Sequence, residues 1–490
     1  MTSPGPIDIR RRKDGSLDIS FYADKARSLR RASIRATPCA IGRFLARLAA
    51  PVLRRRPGRG LWTSRGLAAL LAATVALPAA ADETCLSPYM PKITGHEDYV
   101  YVWTLGVEGL GDGSDKLVTV DARDNSPTFG KVIDTDSVGS RNEAHHGGFT
   151  DDRRQFWAAG LDSDTIFVFD VASDPANPKL IKTIADFVEK TGGVVGPHGA
   201  YALPGRMMIP ALSNKDGTGR TALVEFSNEG EFIATHWLPT AKEAKDIPGA
   251  EFADGYGYDA RVLPRKNVML TSSFAGRENY MRPFGEVAGD AEAMKKFGNS
   301  MIMWDFHART PKKVFQVPGV PLEIRWAQGK NHAYAFTSTA LTAKLWLVHE
   351  DEKGEWQAKA VADIGDPAKL PIPVDISLSA DDKTLFADTF MDGMTRVFDV
   401  SDPHHPRQIY EKKIGEQLNM VSQSWDGERI YYTSSLLANW DKTGDANEQF
   451  LKAYAWNGKE LTPRFEIDFT REELGRPHMM AFGAASLYAK

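Results

Sequence analysis

Thiols are almost absent: the 490 residues contain two cysteines, Cys39 and Cys85. Cys39 lies in a segment expected to be removed, so the mature chain lacks a second thiol for an internal disulfide, even in an oxidising compartment. Cys85 lacks the preceding lipobox that would mark it for acylation and reads as an inert structural thiol. A run long enough to cross a bilayer is missing too. The stretch at 67–77, Leu-Ala-Ala-Leu-Leu-Ala-Ala-Thr-Val-Ala-Leu, falls short of the roughly 20 apolar residues a span needs. No Gly-rich phosphate loop, dinucleotide fingerprint or nucleophile elbow stands at a convincing position. Long helical periodicity is also lacking, except from Val287 to Phe297, which reads as a helix inserted in a loop.

Positive charge is missing from most of the chain and crowded into its start. Residues 1–81 hold about 16 Lys/Arg against about 4 Asp/Glu, so the remainder carries about −16 of a net −4. An acidic body excludes nucleic acid and anionic lipid as electrostatic partners. The basic start ends in Arg54, Arg55, Arg56, Arg59 and Arg65, then the apolar run, then Pro78 and Ala79-Ala80-Ala81. That order is a signal peptide with a small-residue cleavage site, and it implies export to the periplasm; the competing reading is an uncleaved anchor. Residues 1–53 are too long for an ordinary n-region and receive no role. The expected organisation is a basic extension and signal peptide over 1–81 and one domain over 82–490. Self-association is neither required nor excluded.

A repeat fills the body. Thr165-Ile-Phe-Val-Phe-Asp-Val-Ala-Ser-Asp-Pro-Ala-Asn-Pro-Lys179 is echoed by Thr395-Arg-Val-Phe-Asp-Val-Ser-Asp-Pro-His-His-Pro-Arg407. Both read as an alternating strand, an Asp-Pro turn and a further strand. Weaker copies recur at 116–121, 221–226, 300–305, 343–348 and 451–456. Most are preceded by a hairpin, as in Val374-Asp-Ile-Ser-Leu-Ser-Ala-Asp-Asp-Lys-Thr-Leu-Phe-Ala387. Four short strands recurring seven times predict an all-β, seven-bladed β-propeller. The first copy lacks an inner strand, and the final apolar segment from Pro477 lacks a blade. Lending that C-terminal strand to the N-terminal blade closes the ring.

Closure brings histidines together. The inner strands of three successive blades then begin at His478, at His145-His146 and at His198, around one mouth of the channel. Imidazoles converging from distant sequence positions suit copper or zinc. On a regular strand, neighbouring side chains face opposite ways, so one of His145 and His146 is expected in the preceding turn or behind the first ligand shell. Gly147, Gly148 and Gly199 are expected to leave room for a metal or ligand near the backbone. His404-His405 looks equally like a metal motif but falls in an outer Asp-Pro turn and reads as solvated loop. His96, His236, His307, His332 and His349 show no convergence and receive no role. Other inner strands carry Tyr256-Gly-Tyr-Asp-Ala-Arg261, Leu322-Glu-Ile-Arg-Trp326, Asp375 and Gln423 toward the channel. Their charges either tune a metal and orient a substrate or pair with one another and seal the channel. Glu143, Tyr201, Tyr258, Glu323, Arg325 and Asp375 are the candidates for catalytic roles.

Four segments carry a resemblance: Cys85-Leu-Ser-Pro, Glu143-Ala-His-His-Gly-Gly-Phe149, Val320-Pro-Leu-Glu-Ile-Arg325 and Thr433-Ser-Ser-Leu-Leu-Ala-Asn-Trp-Asp441. On these the chain, from about Cys85 to its end, resembles the selenium-binding protein family. The resemblance implies a copper-dependent oxidase that converts methanethiol, O2 and water to formaldehyde, hydrogen sulfide and hydrogen peroxide. It also implies that His145, His146, His198 and His478 are the metal ligands. Animal members carry a cysteine pair just after the His-His segment, where this chain reads Thr150-Asp-Asp-Arg-Arg-Gln-Phe-Trp157; selenium capture by those thiols is not expected here. A thiol is a soft ligand that copper accepts, and coordination favours the thiolate. One copper cycles by a single electron, so a second redox partner or a substrate radical is required, with Tyr201, Tyr258 and Trp326 as candidates. The alternative is a non-catalytic periplasmic metal- or selenium-binding propeller serving as an interaction platform.

Overall fold

The structure is a computed structural model describing residues 86–93, 95–217, 220–247 and 253–488. The expected leader, its cleavage site, Cys39 and Cys85 lie outside these residues.

Seven antiparallel sheets follow one another around a ring, as the repeat predicts. Blade 2 shows the pattern: Ala144–Phe149 innermost, then Gln155–Gly160, Thr165–Asp170 and Lys179–Ile184. Its three inner strands are almost wholly buried, whereas Lys179–Ile184 alternates exposed and half-buried residues. This gradient follows from radial packing: inner strands press on neighbouring blades on both faces, and only the outermost strand meets water. Blades 4, 5, 6 and 7 begin with Ala260–Leu263, Pro321–Trp326, Pro373–Leu378 and Met420–Gln423.

Blade 1 is closed as expected. Its own strands Tyr99–Leu105, Lys116–Asp121 and Val132–Ser137 take Arg476–Gly483 as the innermost member, in a register that pairs Tyr99 with Gly483 and Val102 with Met480. The closing strand is anchored by burial. Phe482 is fully buried with its ring 5.1 Å from that of Tyr431, and Arg153 Nη2 donates to the Phe482 carbonyl at 2.7 Å.

The stretch expected as one helix from Val287 to Phe297 holds only the end of Phe284–Ala288 and the turn Ala291–Met294, which with Arg277–Tyr280 form an insertion between the second and third strands of blade 4. The helix stops at Gly289, and Asp290 starts the next turn by accepting from the Glu292 and Ala293 amides. This insertion covers the mouth at which the inner strands begin. No helix among the described residues is long and apolar enough to cross a membrane.

Candidate metal centre

The inner strands that carry the histidines are irregular where the histidines sit. In blade 2, Ala144 pairs with Gly160 and Gly147 with Ala158, so His145 and His146 together oppose Ala159. In blade 1, Thr104 pairs with Pro477 and Trp103 with Met479, which leaves His478 as the surplus residue. In blade 3, Pro197 pairs with Ala211 and Tyr201 with Met208, so residues 198–200 face only two partners. One of those partners is Pro210, which has no N–H for the ladder; its carbonyl accepts from the His198 amide at 2.9 Å. Each ligand candidate therefore stands on a β-bulge, a device that bends the strand and re-aims a side chain.

The bulge corrects one expectation. His145 and His146 both belong to the strand, and both rings enter the same space, because neighbouring side chains need not oppose one another where the pleat is broken. Their ring centroids are 5.1 Å apart. His478 lies 3.8 Å from His145 and 5.0 Å from His146; His198 lies 4.8 Å from His145 and 4.2 Å from His146. Ligand atoms of His145, His146 and His478 fall within 4.8 Å of one another. All four residues are at most 3% exposed.

Burial holds all four rings neutral, and repulsion from neighbouring histidines adds to it for His145, His146 and His478. Desolvation lowers His198 and His478 to about 3, and takes His145 and His146 well below the usual imidazole range. A neutral imidazole offers a lone pair. His145 Nδ1, His198 Nε2 and His478 Nε2 are buried with no hydrogen-bond partner, a cost that coordination to a cation would remove, although His198 stands outside the group whose ligand atoms all lie within 4.8 Å. The His198 side chain hydrogen-bonds the Tyr258 backbone, and the His478 carbonyl accepts from Thr433 Oγ1 at 2.5 Å. Asn419 Nδ2 lies 3.3 Å from His478 Nδ1. Glu323 Oε1 is 3.7 Å from His146 Nδ1, too long for a hydrogen bond but within electrostatic reach.

Other candidates separate into three groups. Tyr258 belongs to the centre, its ring 4.0 Å from that of His198. Glu323, Arg325 and Asp375 join Asp259 and Arg261 in a buried ion-pair layer: Arg325 donates to Glu323 at 2.7 Å and Asp375 at 2.9 Å, and Arg261 to Asp259 at 2.8 Å. Burial raises the Asp375 carboxyl despite Arg325. These groups pair with one another and also face the histidines: Glu323 lies 3.7 Å from His146 Nδ1, and the charges of Asp259 and Arg261 act on His198. Glu143 points to a loop, accepting from Arg141 at 2.8 Å and from the Ala438 amide at 2.7 Å; burial lifts it to about 8.

Tyr201 and Trp326 are placed away from the histidines. They line a cavity of about 240 Å³ with Leu263 and Gln328, at the opposite ends of the inner strands. That cavity is larger but holds none of the imidazoles. Gly147 and Gly148 also differ from expectation: the room they leave is taken by protein. A Cβ on Gly148 would lie 1.9 Å from the Ala200 oxygen, and one on Gly147 2.6 Å from the Phe156 ring. Gly199 meets only Pro210, at an ordinary 3.4 Å.

His404 and His405 stand in an outer turn, His405 Nδ1 2.9 Å from Asp402, as the repeat implied. His349 does meet His404, their rings 4.7 Å apart. His96 gathers with Asp426 and Glu428 at the surface.

What sequence reading missed is the apolar half of the site. Beside His145 and Tyr258 lies a chamber of about 20 Å³ walled by Phe274, Leu322, Val374, Leu437 and Trp440. In blade 5 the bulge sets Leu322 and Glu323 where blade 2 has His145 and His146, and in blade 6 Val374 is surplus as His478 is in blade 1. The signal was present in the parallel strings Val320-Pro-Leu-Glu-Ile and Ile372-Pro-Val-Asp-Ile.

A propeller with a buried histidine cluster at one mouth is the class that fold and site define. The model for the 56kDa selenium binding protein (SBP56) family matches residues 79–479, and the chain belongs to that family. It is 63% identical over 425 residues to the methanethiol oxidase of Ruegeria pomeroyi, covering 86% of this chain and 98% of that one. It is 55% identical over 406 residues to the methanethiol oxidase of a Hyphomicrobium species, covering 82% and 91%. Among solved structures, a hypothetical selenium-binding protein from Sulfolobus tokodaii superimposes with a TM-score of 0.69 at 22% identity, covering 82% of this chain and 98% of that one.

Proposed function

We infer that this protein is a methanethiol oxidase, that copper is its metal, and that His145, His146, His198 and His478 hold it. The activity rests on the two bacterial relatives, which match nearly their whole length, and it is favoured over a non-catalytic platform. The observation that carries the site is the convergence of four buried, neutral imidazoles, three with orphaned nitrogens, beside a small apolar chamber.

Methanethiol and water yield formaldehyde, hydrogen sulfide, two protons and two electrons; O2 takes both electrons and both protons and leaves as hydrogen peroxide. Bound copper supplies thiolate coordination and one-electron redox chemistry. The protein's own groups do the rest. Phe274, Leu322 and Val374 exclude bulk water and accept the substrate methyl. Glu323, 3.7 Å from His146 Nδ1, acts on that imidazole through its charge. Tyr258 is the aromatic candidate for the second electron that lies against a histidine, since Tyr201 and Trp326 are at the far mouth.

Purified wild type is expected to contain copper and to release peroxide and sulfide on addition of methanethiol. His146→Ala and His198→Ala should lose copper and turnover together; an active, metal-free variant would overturn the assignment. Export to the periplasm by the basic leader is part of this proposal, and N-terminal sequencing of the mature protein should begin after Ala81.

A further inference from the structure

The chamber has one reactive side and one inert side. Blades 1, 2 and 3 present imidazoles, whereas the matching bulges of blades 5 and 6 present Leu322 and Val374. Its roof is the loop at 435–441, from which Leu437 and Trp440 descend. Seven hydrogen bonds fix that loop. Asp441 accepts from Ser435 Oγ at 2.7 Å, from the Leu436 amide at 2.8 Å and from Arg476 at 3.0 Å. Arg476 also donates to the Ala438 carbonyl at 3.1 Å, and Glu143 accepts from the Ala438 amide. Asn439 and Trp440 Nε1 donate to the Tyr280 and Arg282 carbonyls of the blade 4 insertion, at 3.1 and 2.9 Å.

A roof held at both ends and in its middle does not yield to a longer substrate. About 20 Å³ is little more than the space one water needs, so added methylenes would press on Leu437, Trp440 and Val374. We propose that Leu437 is a specificity-determining residue, and that its side chain, fixed by the clamped loop, limits the enzyme to the shortest alkyl thiols. This rests on the oxidase reading above and names the substrate class of the same site.

The test compares wild type with Leu437→Ala, and with Val374→Ala on the opposite wall should the loop variant fail to fold. Copper content, the ratio of kcat/KM for 1-propanethiol to that for methanethiol, and xenon binding are measured on each. Xenon reports a dry apolar cavity without any turnover. Leu437→Ala should keep its copper, bind xenon more strongly than wild type, and raise the propanethiol ratio about tenfold or more, the usual worth of methylenes in an apolar pocket. An unchanged ratio in a variant whose xenon binding has risen overturns the specificity proposal alone. A wild type that releases neither peroxide nor sulfide overturns the oxidase reading, and the specificity proposal falls with it.

Discussion

Each imidazole is turned inward by a local surplus of backbone, so small changes beside it should act out of proportion to their size. Gly148→Ala adds one methyl against the Ala200 oxygen, two residues from His198. The expected result is a protein that keeps its β-sheet circular dichroism but binds copper at least tenfold more weakly, measured by competition with a chelator. Tyr258→Phe should retain copper and lose at least tenfold in kcat with KM nearly unchanged, if the hydroxyl handles the second electron. Glu225, away from the site, accepts from Arg309 and from Arg206 at 2.9 Å, with His236 3.2 Å away; these partners overcome burial and hold it at about 2. Its folded value lies below the unfolded one, so its stabilisation is full above about pH 4.5 and fades as pH falls toward 2. Glu225→Gln should therefore flatten the acid limb of the stability curve, read from urea midpoints between pH 3 and 6. The four histidines were legible in the sequence because they share a register. How His145 and His146 could both serve was not, since alternation presumes an unbroken pleat. Tyr201 and Trp326 fall at the other mouth because the position of a residue along an inner strand decides which mouth its side chain faces.

The strands reveal a division of labour. Third strands announced themselves by alternation and the Asp-Pro turn, so the blade count needed no coordinates. The inserted helix was less legible: apolar spacing suggested one element over Val287 to Phe297, while the chain breaks at Gly289 between two single turns. The bulge at the strand entrance recurs in blades 1, 2, 5 and 6, and its occupant differs by blade. The closing strand carries both a member of the histidine cluster and the ring's latch. Phe482→Ala should cost about 3–5 kcal/mol, as for other buried phenylalanines. Guanidinium chloride unfolding would show a lower midpoint with an unchanged slope if the ring still closes, and a changed slope if blade 1 opens.

Viewed whole, the molecule is a ring whose joint lies beside its histidine cluster. The clustered imidazoles come from blades 1, 2 and 3, with His478 reaching the others from the far end of the sequence. A cation bound only by the closed ring stabilises it by mass action, about 2.7 kcal/mol at a free concentration one hundred times Kd. Copper should therefore raise the melting temperature of wild type and leave that of His478→Ala almost unmoved, measured by calorimetry with and without a chelator. The ring was legible because repetition is a property of sequence. The narrowness of the chamber was not, because it arises where side chains from different blades meet, and the sequence left open whether the inner-strand charges pair with one another or tune a metal. A chain released only as far as its sixth blade carries His145, His146 and His198 but not His478. Under the proposed ligand set, retention of the cation would therefore report completed synthesis, and a truncated product should fail to hold it.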